Sequence, residues 1–345
     1  MPKHLLFLFF TELLCLSCHP WKVKSYYKFV YAAEDYIIQN KFQDAAVAYE
    51  LAFLKKAPFD RDVLNAMILK IERGDTSSLD NFLQLSGYLT PNSTQSFFKY
   101  LRSNTINSDT LIHTMESHVS ELNHFLKDTL TSCLNEDQKV RHLEVCEGIA
   151  YNSSACIQAK QKVDSLNEVK VLLLLNNKQL LKSNYLPGDI VKAIHVIAIH
   201  NSEWRSYRIH QALGPYVKKG LFDARIYALL MDKIPKPDKP IYFGTDSHIV
   251  INNQEIFNDL FSFTVSQSMN KARKNIYLRT YEAEQNVRFW QLTRSTPFRF
   301  VSAYKINVPK EHFGTMKNKI KSTCPMGSFT DLNFKNKTEV ESSSR

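Results

Sequence analysis

The amino-acid sequence predicts a mainly α-helical chain, with helical hairpins in its N-terminal part followed by a mostly helical region with a few short strands. Residues 26–58 show two apolar helix patterns joined by a turn, and helical patterns continue as far as residue 233. Short strand patterns appear only after a group of three prolines, Pro235, Pro237 and Pro240. At a length of 345 residues, two domains are the expected number.

The composition is that of a globular protein, with 44% hydrophobic residues and only 9 glycines and 12 prolines. The 44 basic and 34 acidic side chains give a formal charge of +10. A nucleic-acid-binding protein usually concentrates such charge in one stripe or arm, whereas Lys and Arg are spread along this chain. We therefore predict a solvated basic surface and no nucleic-acid partner. The chain carries no phosphate-binding loop, dinucleotide motif or hydrolase motif, and we predict no cofactor.

The first 18 residues have the character of an export signal. Lys3 precedes an apolar run over residues 5–10, which is too short to span a bilayer and is typical of a secretory signal. Ser17 and Cys18 resemble the end of a bacterial lipoprotein signal, although Cys15 stands where leucine is usual. We predict a cell-envelope protein with a lipid anchor on Cys18. An ordinary signal peptide, or a retained N-terminus in a cytoplasmic protein, is the alternative.

Residues 26–127 carry the spacing of small and aromatic residues expected of helical hairpins. In the first hairpin, Ala33, Ala45 and Ala52 let two antiparallel helices approach closely, and aromatic residues fill the groove between them. Two more hairpins are expected on the apolar residues Val63, Ala66, Met67, Leu79 and Leu83, and then Phe97, Phe98, Tyr100, Leu101, Leu111, Met115, Val119 and Leu122. These positions resemble tetratricopeptide (TPR) repeats, with Pro58 one place late and no glycine at Ala33. The resemblance implies a concave surface for a peptide or protein partner.

Residues 128–310 are predicted to form a second domain, and residues 326–345 a disordered polar tail. Helical patterns cover residues 137–182, 189–200, 203–219 and 221–233. Strands are expected at residues 241–243, 249–251 and 298–306, with a helix over residues 254–274. The second domain is therefore predicted to be mostly helical, with a small α+β part towards its end.

Scattered polar side chains in the second domain stand at the ends of apolar segments. The set comprises Asp137, Gln138, Arg141, His200, Asp232, Thr245 and Arg273. Each polar group that is buried without a partner costs about 1–3 kcal/mol. We therefore predict that these groups converge in one cluster, in which the arginines neutralise the carboxylates.

Three roles stay open for this polar cluster: a buried network that braces the fold, a ligand site, or a catalytic site. A Gly-Thr turn at Thr245 presents backbone N–H groups that an anion can use. His200 is suited to act as an acid or base with Asp137 or Asp246 in a hydrolase. We expect a non-enzymatic binding protein with a polar cleft, and the hydrolase is the alternative.

The order and spacing of these segments resemble a bacterial domain family of unknown function. Its pattern runs from a D-Q-x-x-R start through a leucine-rich helix ending in Asp-Arg to a Y-G-T-Q turn. The matching residues are Asp137, Gln138, Arg141, Asp164, Asn167, His200, Lys219, Gly220, Leu229, Leu230, Asp232, Gly244, Thr245, Arg273 and Leu278. Lys233, Phe243, Asp246 and Tyr277 depart from the family's Arg, Tyr, Gln and Gly. The resemblance spans roughly residues 130–280 and implies a fold and candidate site positions, with no activity attached.

Four cysteines lie beyond the leader: Cys133, Cys146, Cys156 and Cys324. No two of them have the spacing of a zinc-binding pair. His195 and His200 are five residues apart and do not share a helix face well, so we predict no metal site. Buried free thiols are the favoured interpretation of the cysteines. A local Cys146–Cys156 disulfide is the alternative in an exported protein.

Overall fold

Helices make up most of the structure, which confirms the prediction of a mainly helical chain. The structure is a computed structural model. It describes residues 3–74, 85–104, 124–141, 153–177, 180–182, 186–232, 234, 243, 245, 249–251, 256–258, 263–293, 296–300 and 305–307. The predicted tail, Asp246, Cys146, Cys324 and the hairpin positions at residues 79, 83 and 111–122 lie outside this part of the chain.

The first hairpin pairs helix α1 (Lys3–Ile38) with helix α2 (Phe42–Phe53). Asn40, with φ +58°, lies in the turn between them. Ala33, Ala45 and Ala52 are completely buried where the two helices meet. A methyl side chain at these positions lets the backbones approach closely, as the sequence predicts. Helix α1 also runs through the predicted leader, whose cleavage stays a prediction.

Helices α3 (Asp60–Glu72) and α4 (Pro91–Asn104) continue the N-terminal part and pack against each other. Helix α3 contributes a continuous buried run over residues 62–69, including the predicted Val63, Ala66 and Met67. Phe97 and Leu101 anchor α4 in the same core. Repeat membership of these helices stays a prediction.

Three helices form the centre of the second part: α5 (His124–Arg141), α6 (Ser154–Leu175) and α7 (Gly188–Glu203). Each packs against the other two. Ser153 caps α6 by accepting a hydrogen bond from the backbone N–H of Cys156. A 3₁₀ turn at Leu180–Lys182 follows α6. This three-helix layer carries the histidine-containing half of the predicted polar cluster.

Short helices connect this layer to the N-terminal part. The predicted helix over residues 203–219 is instead two helices, α8 (Arg208–Ala212) and α9 (Gly214–Lys218), because Pro215 has no backbone N–H with which to continue the hydrogen bonding of α8. Helix α10 (Ala224–Asp232) follows Gly220, which has φ +69°. A Cβ at Gly220 would meet Val23 at 2.8 Å, so this turn requires glycine where it meets α1.

The last described elements are three short strands and two helices. Strand β1 (Ile249–Ile251) lies between β2 (Ile256–Asn258), which is antiparallel to it, and β3 (Lys305–Asn307), which is parallel. Ile249 pairs with Asn258 on one side and with Lys305 on the other. Helices α11 (Phe263–Asn275) and α12 (Tyr281–Thr293) pack against each other, and α12 also contacts α1.

Several sequence-based boundaries in this region are wrong. The helix predicted over residues 254–274 begins only at Phe263, because β2 occupies part of its N-terminal end. Phe298 and Phe300 do not lie in a strand; their rings stack in the core, with centroids 6.1 Å apart. Both helix and strand bury apolar residues, so periodicity over such short runs does not separate them.

One hydrophobic core runs across the predicted domain boundary. It joins Tyr49 of α2 and Met67 of α3 to Ile197 of α7 and Phe222 before α10. The two predicted domains therefore share buried surface. Within the described ranges, no helix combines the length and the apolarity needed to cross a membrane.

Candidate functional site

A buried ion network links the three central helices. Arg141, on the last turn of α5, donates to Asp137 at 2.9 Å and to Asp164 of α6 at 2.8 Å. The i to i+4 spacing predicts the first contact, because it places both side chains on one helix face. His200 of α7 adds a third helix, with Nδ1 2.8 Å from Asp137 Oδ1. Both carboxylates are almost fully buried.

Neighbouring groups complete this network, which we call the Arg141 network (Asp137, Gln138, Arg141, Asp164, His200 and Trp204). Gln138 donates to Asp137 at 2.7 Å, and the Trp204 indole N–H donates to Asp164 at 2.5 Å. One helical turn after Asp164 on α6, Asn167 donates to the backbone carbonyl of Cys133 at 2.9 Å. The free oxygens Asp164 Oδ1 and Asn167 Oδ1 are buried without a partner among the described residues. Most polar atoms of the network are thus used internally.

The His200–Asp137 pair has part of the geometry of a general base. A carboxylate at Nδ1 fixes the imidazole and leaves Nε2 to take a proton. Hydrolysis through a covalent intermediate also needs a nucleophile within reach of that nitrogen. Among the described hydrogen bonds of His200, none leads to a serine, threonine or cysteine. Asp137 also forms an ion pair with Arg141, so the His200–Asp137 pair is part of the network that holds three helices together.

The remaining predicted residues form a second, separate group. Asp232, at the end of α10, accepts from the backbone N–H groups of Phe243 and Thr245 at 2.6 and 2.7 Å and from the Thr245 hydroxyl at 2.6 Å. Arg273 of α11 donates to the Phe243 carbonyl at 2.5 Å and pairs with Glu284 at 2.6 Å. We call this the Arg273 network.

The single cluster expected from the sequence is therefore two networks. Within the described part of the chain, no hydrogen bond or ion pair connects the Arg141 network to the Arg273 network. Asp232 and Thr245 point their polar atoms at each other and not at an anion. Asp246, the other proposed partner of His200, lies outside the described residues. The described hydrogen bonds and ion pairs thus divide the predicted polar residues between two networks, each with its own arginine and carboxylates.

A third ion network, absent from the sequence-based prediction, holds the N-terminal part against α10. Arg225 donates to both oxygens of Asp62 at 2.8 Å and to both oxygens of Asp223 at 2.7–3.0 Å. Tyr27 of α1 accepts from the backbone N–H of Ala224 at 2.8 Å. Burial would raise the pKa of Asp223, but Arg225 reverses that effect and lowers it to about 2. Asp62 and Arg225 are 163 residues apart, so no local pattern could reveal this pairing.

Nearby, Arg279 extends this contact to the start of α12. It pairs with Glu34, and at 3.0 Å with Asp35. Burial raises the pKa of Glu34 to about 7, despite Arg279 and Arg225. Tyr277 has φ +67°, a conformation that favours glycine, which is the residue that the resembled pattern has at this position. Its ring stacks on Tyr27 with centroids 6.2 Å apart, and this contact compensates part of the backbone strain.

A cavity of about 260 Å³ lies beside this joint, between the N-terminal part and helices α7 and α10. We call it the Arg61 cavity. Its apolar walls come from Phe59, Leu186, Val191, Ile226 and Leu229, and its polar groups from Asp60, Arg61, Thr90, Lys192, His195 and Asp223. Gly188, the first residue of α7, also lines it, and a Cβ there would meet Thr90 at 2.7 Å. The wall is therefore closely packed where α7 meets the N-terminal part.

Two polar side chains in the wall have buried nitrogen atoms without a hydrogen-bond partner among the described residues. Nε and Nη2 of Arg61 are buried, and neither makes a hydrogen bond within the described residues. The same is true of Nε2 of His195. Burial, with His200 nearby, lowers the pKa of His195 to about 4, so this imidazole is neutral at pH 7. Buried unpaired polar groups are rare in folded proteins, and in a cavity they indicate a missing hydrogen-bonding partner.

By contrast, the carboxylates in the wall are already paired. Asp60 accepts from the backbone N–H of Thr90 at 2.6 Å and from the Ser93 hydroxyl at 2.7 Å. Burial raises the pKa of Asp60 in spite of these hydrogen bonds. Asp223 is held by Arg225. The unpaired hydrogen-bonding capacity of the cavity thus belongs to Arg61 and His195.

Sequence reasoning missed the Arg61 cavity because its wall comes from segments far apart in the chain. The only local signal is that Asp60-Arg61 begins a helix and that Lys192 and His195 are three residues apart on one face of α7. Among the described residues, no group of three or more histidine, cysteine, aspartate or glutamate side chains is placed to hold a metal ion.

Of the two cysteines beyond the leader that the structure describes, Cys133 agrees with the favoured interpretation and Cys156 does not. Cys133 is a buried free thiol, and burial raises its pKa. Cys156 is disulfide-bonded, so the interpretation of free thiols is wrong for this residue. The Cys146–Cys156 pairing stays a prediction, since Cys146 lies outside the described residues.

Comparison with known proteins adds no relative. No protein-family model matches the chain, and no curated protein or solved structure is similar to it.

Proposed function

We propose that this protein is a non-enzymatic binding protein of the cell envelope, whose small-molecule ligand occupies the Arg61 cavity. The observation that carries the proposal is the pair of unpaired, buried N–H donors of Arg61 in the cavity wall. A concave, mostly apolar pocket with a few polar groups that converge on it is the usual form of a ligand site.

The contrast with the other polar groups supports this assignment. In the Arg141 and Arg273 networks, the arginines are paired with carboxylates and backbone carbonyls of the same chain. These networks fit the role of braces that fix the helices relative to each other. Among the described residues, the cavity has both free space and a side chain with unpaired buried donors in its wall, so we assign the binding function to the cavity and not to His200.

A peptide or protein partner on the TPR-like part is a further component of the proposal. Val47 and Leu51 on the outer face of α2 are exposed, as is Leu54, the residue that follows the helix, which is 78% exposed. Their spacing of four and three residues puts them on one face of the helix. Such a face is suited to an apolar partner, and the ligand cavity lies elsewhere.

Three features support the cell-envelope location. The sequence begins with the predicted export signal, and Cys156 is disulfide-bonded, which is typical of oxidising compartments. Trp21, three residues after the proposed lipid site Cys18, is 60% exposed and has the Lys55 ammonium 5.6 Å from its ring centroid. Exposed tryptophan and lysine are common where a protein surface meets a membrane. Mass spectrometry of the natively expressed protein tests this: we expect a lipid-modified Cys18 as the first residue, and an intact N-terminus would contradict it.

The ligand proposal is tested by extracting small molecules from the purified protein and identifying them by mass spectrometry. Wild type is compared with Val191→Phe, which places an aromatic ring in the cavity wall. Leu173→Phe is the matched control, because Leu173 is 68% exposed on α6, away from the cavity. We expect a molecule that copurifies in near-stoichiometric amount with wild type and with the control.

The same molecule should be absent from Val191→Phe protein that is folded by circular dichroism. Equal amounts in all three proteins would place the ligand elsewhere. A wild-type protein that carries no molecule, and that binds none of the compounds offered below, would overturn the proposed function.

A further inference from the structure

The unpaired atoms of Arg61 lie on one edge of its guanidinium group. Nε and Nη2 carry N–H bonds that point in the same direction, which is the edge that binds two oxygens side by side. Both atoms are buried and have no partner among the described residues. A carboxylate or phosphate group supplies two acceptor oxygens at the matching separation and gives a charge-assisted, bidentate contact. The edge therefore specifies an oxyanion and not a single carbonyl or hydroxyl.

The charges in the surrounding wall limit the charge that a bound oxyanion can carry. Lys192 adds a second positive charge to the lining, while Asp60 and Asp223 add carboxylates. Asp223 is held by Arg225, and the charge of Arg61 also helps to lower its pKa, while Asp60 is buried. Two cations, Arg61 and Lys192, then face one carboxylate, Asp60, that no arginine holds, so the wall carries about one excess positive charge, which a singly charged carboxylate balances and a doubly charged phosphate exceeds.

The other residues of the wall indicate the polarity and the size of the rest of the ligand. Phe59, Leu186, Val191, Ile226 and Leu229 give a surface that favours hydrocarbon. The volume of about 260 Å³ lies just below the range of about 300–1,000 Å³ that is usual for ligand pockets. His195, neutral at pH 7, offers one more hydrogen-bonding nitrogen without adding charge.

We infer that the Arg61 cavity binds a small monocarboxylate with an apolar body, whose carboxylate pairs with Nε and Nη2 of Arg61. Hexanoate and benzoate are probes of this class. This inference rests on the proposed function, since it names the ligand class of the same cavity.

Calorimetric titration of the full-length protein, stripped of bound molecules, tests the inference. The compounds are hexanoate, benzoate, benzylamine and inorganic phosphate. Wild type is compared with Arg61→Gln, Arg61→Lys and the cavity-filling Val191→Phe. Arg208→Gln is the matched control: it removes the same charge from an arginine that is exposed, makes one long ion pair of 3.7 Å with Glu168 and does not line the cavity.

We expect at least one carboxylate to bind wild type and the Arg208→Gln control equally. Arg61→Gln should weaken its binding at least tenfold. Arg61→Lys should also weaken it, because an ammonium keeps the charge but loses the two parallel donors. Benzylamine and phosphate should bind at least tenfold more weakly than the carboxylate. Unchanged melting temperatures of both Arg61 variants would show that the loss is not one of folding.

The outcomes separate the inference from the proposed function. If benzylamine binds and Val191→Phe abolishes its binding, while carboxylates do not bind, the cavity is a ligand site and the carboxylate assignment is wrong. If phosphate binds more tightly than either carboxylate and requires Arg61, the assignment is equally wrong. Carboxylate binding that survives both Arg61 substitutions also overturns it. Binding that is unaffected by Val191→Phe contradicts the proposed function itself.

Discussion

Removal of Arg225 is expected to weaken the contact between the N-terminal part and α10, and so to lower the free energy of unfolding. Its guanidinium is the only described cation with short contacts to Asp62, and it also holds Asp223. The side chains of these three residues are 8%, 0% and 5% exposed. In Arg225→Met, a side chain of similar length would fill much of the same space without charge. Two buried carboxylates would then face each other across the joint between α3 and α10.

The magnitude follows from the burial of those carboxylates. Removing one partner of a buried ion pair costs about 3–5 kcal/mol, because the remaining charge stays out of water without compensation. Tyr26 keeps one hydrogen bond to Asp62 at 2.5 Å, and Tyr27 one to Asp223 at 3.2 Å. These contacts limit the loss, so we expect the free energy of unfolding to fall by about 3 kcal/mol or more.

Urea denaturation followed by circular dichroism measures this change. Thermal denaturation gives the same loss as a melting temperature: at about 2.1 cal/mol/K of unfolding entropy per residue, about 3 kcal/mol in a chain of 345 residues lowers it by roughly 4 °C. The control is Arg208→Met, because the Arg208 side chain is 66% exposed and lies 3.7 Å from Glu168; ion pairs of exposed arginines contribute about 0–1 kcal/mol. A loss for Arg225→Met within 1 kcal/mol of the control would refute the reasoning that this network joins the two parts.

Three further predictions concern other buried groups. Arg141→Ala should cost about 3–5 kcal/mol because the buried Asp137 loses its charge partner, whereas His200→Ala should cost about 1 kcal/mol; equal losses in chemical denaturation would contradict a bracing role. Burial, with His195 nearby, lowers the pKa of His210 to about 4, so between pH 6.5 and 4 the unfolded chain binds a proton that the folded chain excludes. The free energy of unfolding should therefore decrease by up to ~3 kcal/mol as the pH falls from 6.5 to 4, and the decrease should be smaller in His210→Phe. Identical pH dependence of the wild type and the variant would argue against a buried neutral His210. Ala45→Leu should cost about 1–3 kcal/mol by overpacking the α1–α2 contact, and an unchanged melting temperature would show that the contact tolerates bulk.

Local patterns in the sequence predict those parts of the structure that depend on local geometry. The spacing of Ala45 and Ala52 predicts a close helix contact, and both side chains are fully buried. The i to i+4 spacing of Asp137 and Arg141 predicts their ion pair, which is present at 2.9 Å. In each case the helix itself brings the residues together, so no knowledge of the tertiary fold is needed.

Contacts between residues far apart in the sequence could not be predicted from local patterns. Arg141 also binds Asp164, and Arg225 binds Asp62 across 163 residues, but the sequence contains many other arginines and aspartates that would fit equally well. The described hydrogen bonds divide the predicted polar residues between two networks for this reason: satisfaction of buried charges requires partners, yet it does not specify which ones. The Arg61 cavity is harder still to predict, because a cavity is defined by the places where side chains fail to fill space.

The electron density inside the Arg61 cavity of natively purified protein, at high resolution, tests the central claim most directly. The account predicts density for a small molecule, with two oxygens within hydrogen-bonding distance of Nε and Nη2 of Arg61 and an apolar body against Val191 and Leu229. A cavity that holds only water, or an Arg61 guanidinium turned to pair with Asp60 or Asp223, would contradict it.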